Sequence, residues 1–303
     1  MNILLTGSTG LIGSELSSLF AEKQHRIFRL VRRADPRAYE ICWDPSSGTL
    51  DTKQLEGLDA VVHLAGESIA SGRWTAEKKR RILDSRIKGT QLLAQSLSRL
   101  FDPPKVLLSA SAIGYYGDRG EEQLNEQSEP GKGFLAGVCR EWEAATQPAI
   151  IRGIRVVMLR LGMVLSANGG SLAMMLPVYR FGMGGKIGTG RQYVSWIAID
   201  DLLGVIDYAI HNESLHGPVN AVSPNPAMNR DFSKALGRAL SRPAILAVPS
   251  FAARIAFGQM ADELLLASAR VNPARLTESG FRFQFPKLED ALRHILRKPA
   301  EAR

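Results

Sequence analysis

Cysteine is nearly missing from this chain: Cys42 and Cys139 are the only two in 303 residues. They have no metal-like spacing, and five scattered histidines do not supply it, so no metal site is expected. Free thiols at this density fit a reduced, cytoplasmic setting. Long apolar runs are missing too. None reaches the ~18 residues that suggest a membrane span, so no membrane partner is expected. A first strand opening at Asn2 leaves the expectation that no secretory or transit peptide precedes it. There is also no basic stripe interleaved with aromatics. The net charge of +8 raises nucleic acid as a partner, but the cations are dispersed apart from Lys78–Arg81. Nucleic acid is therefore not expected.

What is present starts at the N-terminus, with MNILLTGSTGLIG. Asn2–Leu5 read as a buried strand, Gly7, Gly10 and Gly13 follow at once, and Leu11–Glu22 has helical spacing. Strand, glycine turn and helix in this order form the context of a dinucleotide site. Gly7 permits the turn, Gly10 lets backbone approach a pyrophosphate, and Gly13 lets helix and strand pack closely. Thr9, Leu11 and Ile12 complete the turn, with the pyrophosphate expected on the free N–H groups of the helix start.

The rest of the first half repeats this rhythm. Further strands are expected at Arg26–Val31, Ala60–Leu64, Lys105–Ser109 and Arg155–Arg160, with helices over Thr75–Leu100 and Gly133–Ile151. Repeated βαβ units predict an α/β fold, a Rossmann-type doubly wound parallel sheet. Its ligand belongs at the carboxyl ends of the strands, where Gly7, Gly66 and Ser109 lie. After Leu161 the texture changes to Gly and Met, followed by helices at Phe232–Leu240, Phe251–Ala269 and Leu288–Leu296. Residues 1–161 are thus expected to form the dinucleotide-binding domain. Residues 162–303 are expected to form mainly a smaller substrate-side lobe, with some segments returning to the sheet. At 45% hydrophobic the chain can bury a full core.

Selectivity should be read at the end of the second strand. An acid there would bind the ribose 2′-hydroxyl of NAD; this chain has Arg32 and Arg33, which suit a 2′-phosphate and point to NADP(H). Leu64, Ala65 and Gly66 end a buried strand in residues small enough to lie against the cofactor. His63 sits in that apolar strand and reads as a hydrogen-bonded structural histidine rather than a catalyst. The strand ending in Ser109 and Ser111 runs into Gly114-Tyr115-Tyr116-Gly117.

Together these residues resemble an extended short-chain dehydrogenase/reductase. The features in family order are the glycine turn, Leu64-Ala65-Gly66, the Ser109–Ser111 strand end with Tyr115-Tyr116-Gly117, and Trp196-Ile197-Ala198-Ile199-Asp200-Asp201. More narrowly, the chain resembles an epimerase-like branch often labelled a SulA-type cell-division inhibitor. Gly72-Arg73-Trp74, Ser85-Arg86, Ser195-Trp196-Ile197, Pro224-Asn225-Pro226 and the Leu264–Phe285 segment match that branch. The resemblance implies an oxidoreductase or epimerase-like enzyme acting on a small molecule. It also implies Arg86 near the cofactor, with an exposed helix cation as the alternative, the backbone at Met163 beside the nicotinamide, and homodimer pairing through helices Thr75–Leu100 and Gly133–Ile151.

The chain departs from the family at the catalytic pair. Active relatives carry Tyr-x-x-x-Lys, whose lysine lowers the phenol pKa and holds the ribose. With Glu143 as the register mark, Leu135 and Cys139 take those two places here. Ser111 is then expected to polarise a substrate oxygen. Tyr115 or Tyr116, Cys139 and Glu67 are the candidates for the missing acid, with Tyr115 preferred. A cofactor-binding regulator or sensor with little turnover is the alternative.

Overall fold

Alternation decides which layer each residue of the first strand joins. In β1 (Asn2–Thr6), Ile3 and Leu5 face one layer with Leu16 and Phe20, while Leu4 faces the other with Leu93 and Leu97. All of them are fully buried, and each such aliphatic side chain contributes about 1.5–3 kcal/mol. The computed structural model describes residues 1–32 and 35–297.

The first-half strands that join the main sheet beside β1 are β2 (Arg26–Val31), β3 (Glu40–Asp44), β4 (Thr49–Leu50), β5 (Ala60–His63) and β6 (Val106–Ala112). With Arg155–Leu161 and Gly217–Ala221 they form one eight-stranded sheet. Its order is Gly217–Ala221, Arg155–Leu161, β6, β5, β1, β2, β3, β4. Every pair in it is parallel except β3 with β4. The chain goes from β1 outward to β2, β3 and β4, then crosses back to β5 on the other side of β1. That reversal leaves a crevice at the carboxyl ends of β1 and β5, the place where such sheets bind ligands.

Helix α1 (Leu11–Glu22) and helix Ile199–His211 cover one face, and α2 (Ala76–Ser98) covers the other. Thr75 caps α2 by accepting the Lys78 N–H. A third core, built on Leu172, Trp196, Phe232 and Leu292, lies in the C-terminal half. That half also returns to the main sheet through Gly217–Ala221.

Several expectations are corrected. The helix expected over Gly133–Ile151 is two helices, α3 (Phe134–Ala144) and Gln147–Ile151. Pro148 lacks the N–H needed to continue α3 and sits in the first turn of the second helix. Likewise Phe251–Ala269 divides into helix Ser250–Phe257 and a wider helical turn, Ala261–Leu266. Gly258 stands between them at φ +60°, a left-handed stop. β3 and β4 lack any counterpart in the expected strands; they are short and lie at the sheet edge. No helix among the described residues is long and apolar enough to cross a membrane.

Candidate functional site

The crevice at β1 and β5 is built from backbone. Gly7 has φ +69°, and a Cβ there would sit 3.0 Å from the backbone of Leu64 and Ala65. A Cβ on Gly13 would come 2.2 Å from the Gly7 carbonyl oxygen, so helix and turn touch there only because the side chain is absent. Gly10 caps α1 and offers no side-chain hydrogen bond, which leaves the first-turn N–H groups open to an anion. Leu11 lies against Gly169 and Gly170 of the C-terminal half, Ile12 and Leu64 pack on the core, and Thr9 is exposed.

One hydrogen-bond chain fixes the opposite wall. Thr6 Oγ1 accepts the N–H groups of Leu64 and Ala65, both at 3.0 Å. Its own proton therefore goes to His63 Nδ1 at 2.7 Å. His63 is then the Nε2–H tautomer and donates to Thr90 Oγ1 at 2.9 Å, where the Trp142 indole N–H also donates at 2.9 Å. Burial lowers the His63 pKa to about 4, so the ring is neutral and structural.

Arg32 lies exposed just past the end of β2, where it helps to hold the Glu67 carboxyl below its ordinary range. Arg33 lies outside the described residues. Glu67 is lowered chiefly by its hydrogen bond from Lys78 at 2.7 Å, so this acid candidate is held ionised and is a poor proton donor. Arg86 is not an exposed helix cation. Its guanidinium lies 3.4 Å from where a Gly66 Cβ would be, donates to the Glu67 and Ile82 carbonyls, and stacks 4.9 Å over Trp142. The Met163 N–H donates to the Ser195 carbonyl at 2.9 Å, which ties this backbone to the strand Trp196–Ala198 beside it.

The far side of the crevice differs from its sequence reading. β6 runs three residues beyond Ser109, which leaves Ser109 inside the sheet, paired with His63 and Met158, and 1% exposed. Its register partner His63 immediately precedes Leu64 of the crevice wall. Ser111 is equally buried, and its hydroxyl donates to Glu143 Oε1 at 2.7 Å. In this structure its proton is committed to Glu143, so Ser111 orients that carboxylate and presents no free donor to the crevice. Glu143 in turn takes a two-pronged ion pair from Arg160, Nε at 2.8 Å and Nη2 at 2.9 Å. Burial disfavours the Arg160 cation, but the Glu143 hydrogen bonds and the Tyr116 phenol outweigh it and raise its pKa further.

That guanidinium organises both tyrosines. It stacks 3.5 Å over the Tyr115 ring and donates to the Tyr116 hydroxyl at 2.9 Å. Tyr116 passes its own proton to Asn220 Oδ1 at 2.7 Å or the Asn125 carbonyl at 2.9 Å, and burial pushes its pKa up to about 12. Tyr116 is therefore structural. Tyr115 is half-buried, and no hydrogen bond among the described residues holds its hydroxyl. Cys139 fails as an acid: burial first and the Glu143 carboxylate second push its thiol up to about 12.

Sequence reasoning did not assign a role to Arg160, Thr90, Trp142 or Glu263. Arg160 carried a readable signal, since a charge inside the apolar run Arg155–Leu161 demands a buried partner. Glu263 carried none. Its carboxylate accepts the N–H groups of Phe134 and Leu135 at 3.1 and 2.8 Å, capping α3 from a distant segment. Beside it Met260 packs on Leu135, Val138, Trp74 and Ile82. The glycine-rich loop after Gly182 is likewise pinned, with the buried Gln192 donating to the Ile187 and Leu265 carbonyls. A separate cleft of about 360 Å³ lies between that loop, Gly120–Glu121 and helix Ser250–Phe257, and shares no residue with the glycine turn.

Comparison with known proteins agrees with this architecture. Residues 3–221 match the NAD dependent epimerase/dehydratase family, and residues 248–295 match a domain of unknown function. An epimerase family protein of Mycobacterium leprae is 40% identical over 99% of this chain and 97% of its own. The crystal structure of human epimerase family protein SDR39U1 with NADPH is 33% identical, covers 99% of this chain and 100% of that one, and has a TM-score of 0.89. A nucleoside-diphosphate sugar epimerase from Corynebacterium glutamicum is 37% identical with a TM-score of 0.82, over 98% of this chain and 58% of that one. The cell-division-inhibitor label gains no support from these relatives.

Proposed function

This chain belongs to the NAD dependent epimerase/dehydratase family, and on that premise we propose that it is an NADP(H)-dependent oxidoreductase or epimerase-like enzyme acting on a small, unidentified substrate. The observation that carries the reading is the open glycine turn: Gly13 excludes any side chain, and α1 starts without a side-chain cap. The human relative solved with NADPH supports the choice of cofactor. When bound, the nicotinamide supplies or accepts a hydride. Gly7, Thr9, Gly10, Leu11, Ile12 and Gly13 hold the pyrophosphate on backbone N–H groups. Arg32, with Arg33, takes the 2′-phosphate through charge-assisted hydrogen bonds. Leu64, Ala65 and Gly66 form the adenosine wall, with Arg86 set behind Gly66 and the Met163 backbone opposite.

Tyr115 supplies or takes the proton that accompanies hydride transfer. It is the tyrosine of the pair whose hydroxyl is uncommitted, and Arg160 fixes its ring. A second reading, a cofactor-binding sensor, is favoured by a specific observation: Leu135 and Cys139 stand in the usual catalytic positions, and Ser111 is bound to Glu143. One experiment separates the two. The NADPH-bound protein is offered carbonyl compounds and nucleotide sugars while nicotinamide absorbance is followed. Turnover that Tyr115→Phe slows by about 10²–10⁴-fold, with NADPH affinity unchanged, supports the enzyme. Turnover untouched by that change removes Tyr115 from the mechanism. Tight NADPH binding without turnover on the whole panel favours the sensor.

A further inference from the structure

Acids are missing from two stretches that the fold brings together. Residues 162–199 and 232–261 contain no Asp or Glu, but three and four Lys or Arg respectively. Gly185–Ile187 pairs with Leu246–Val248, and Pro243 lies against Gly182, so the two stretches make one surface. Arg254 pairs with Asp262 and Arg238 with Glu289. Arg180, Lys186, Arg191 and Arg242 are exposed and have no acidic partner among the described residues.

The same surface is apolar. Phe181 is 79% exposed, Ile245 84%, Phe251 65% and Ile255 71%, and Val178 and Met183 are exposed beside them. All three residues of Leu246–Val248 face solvent. Phe251 and Ile255 are four apart on helix Ser250–Phe257 and so share one face. Several large apolar side chains left exposed on two paired stretches are more than scattered surface residues and mark an interaction site. A second copy presenting the same face would bring like charges together, which opposes self-association.

We propose that this face is a peripheral docking surface for anionic lipid membranes. Its aromatic and aliphatic side chains enter the boundary between headgroups and acyl chains, and the unpaired cations meet the lipid phosphates. The expectation of no membrane partner rested on the lack of a long apolar run, and no helix among the described residues is long and apolar enough to cross a membrane. A peripheral surface leaves no apolar run in the sequence, because its residues are gathered from positions 178 to 255 by folding. This reading is independent of the cofactor site.

The test is sedimentation of the full chain with vesicles of phosphatidylcholine alone or with about a third phosphatidylglycerol. Binding to the anionic vesicles is expected to be at least ~10-fold stronger and to fall as added salt shortens the screening length. Phe251→Ser with Ile255→Ser should weaken it about 10-fold or more. Both side chains are exposed, so the fold should persist and NADPH affinity, or in its absence the unfolding midpoint, should be unchanged. Equal binding to both vesicle types, or none to either, overturns the proposal. So does a finding that the double substitution only dissociates a dimer on size exclusion, which would make the face an interface between copies.

Discussion

The two sides of the crevice are held by different means. On the cofactor side the shape comes from absent side chains: the Gly7 turn and the Gly13 contact leave bare backbone facing the ligand. On the far side it comes from side chains that occupy one another, with Ser111, Glu143, Arg160, Tyr115 and Tyr116 in one buried network. The difference teaches where mutation should act. A cradle of backbone can lose its ligand without losing its fold. A buried ion pair cannot lose a partner so cheaply, because the remaining charge stays desolvated.

Glu143→Ala should therefore show the largest effect. It strands the Arg160 guanidinium, whose side chain is 3% exposed, and should cost about 3–5 kcal/mol in urea unfolding. Gly10→Val is its counterpart on the other side. Gly10 has φ −78°, which any residue adopts, and is exposed. A Cβ there would meet the Gly7 carbonyl oxygen at 3.3 Å, so stability should fall by only about 1 kcal/mol, while the valine fills the approach to the helix start and NADPH binding is lost. If Glu143→Ala left stability intact, or Gly10→Val unfolded the chain, the contrast between the two sides would be wrong.

The same contrast explains what was legible in the sequence. The glycine turn could be read because backbone requirements are local: Gly7, Gly10 and Gly13 each state a constraint within a few residues. Helix Leu11–Glu22 has the bounds that its spacing predicts. The doubly wound sheet followed from βαβ repetition for the same reason. The far side could not be read that way. Whether Ser111 faces a substrate or Glu143 depends on where β6 ends, and three extra residues change the answer. The neutrality of Cys139 depends on burial by elements far away in the chain. Glu263 caps α3 across more than a hundred residues, a distance over which no local pattern speaks.

Arg32 offers a smaller and sharper test of the cofactor side, because it is the described part of that site that depends on a side chain. Removing one charge-assisted contact to a 2′-phosphate should cost about 1.5–3 kcal/mol. In fluorescence titrations Arg32→Ala should weaken NADPH by about 10-fold or more and leave NADH nearly unchanged. Equal affinities for the two cofactors in the unaltered protein would remove the assignment.

The smallest effect is expected where the two sides meet, at His63. Its hydrogen bonds run from Thr6 behind the cradle to Thr90 of α2, which also accepts the Trp142 indole N–H of α3. Burial places its folded pKa at about 4, against an ordinary value of 6.5. Above pH 6.5 the ring is neutral in both states and folding pays no penalty for it. As pH falls from 6.5 towards 4 the unfolded chain binds a proton that the folded chain refuses, so stability is lost across that window and levels off below it. Between pH 7 and pH 5 this should amount to about 2 kcal/mol, read as a falling urea midpoint. His63→Gln takes away the titrating group; it should be less stable at pH 7 and should lose less on going to pH 5. A variant whose midpoint falls as steeply as the original would mean that another group carries the acid sensitivity, and that the histidine joins the two sides only sterically.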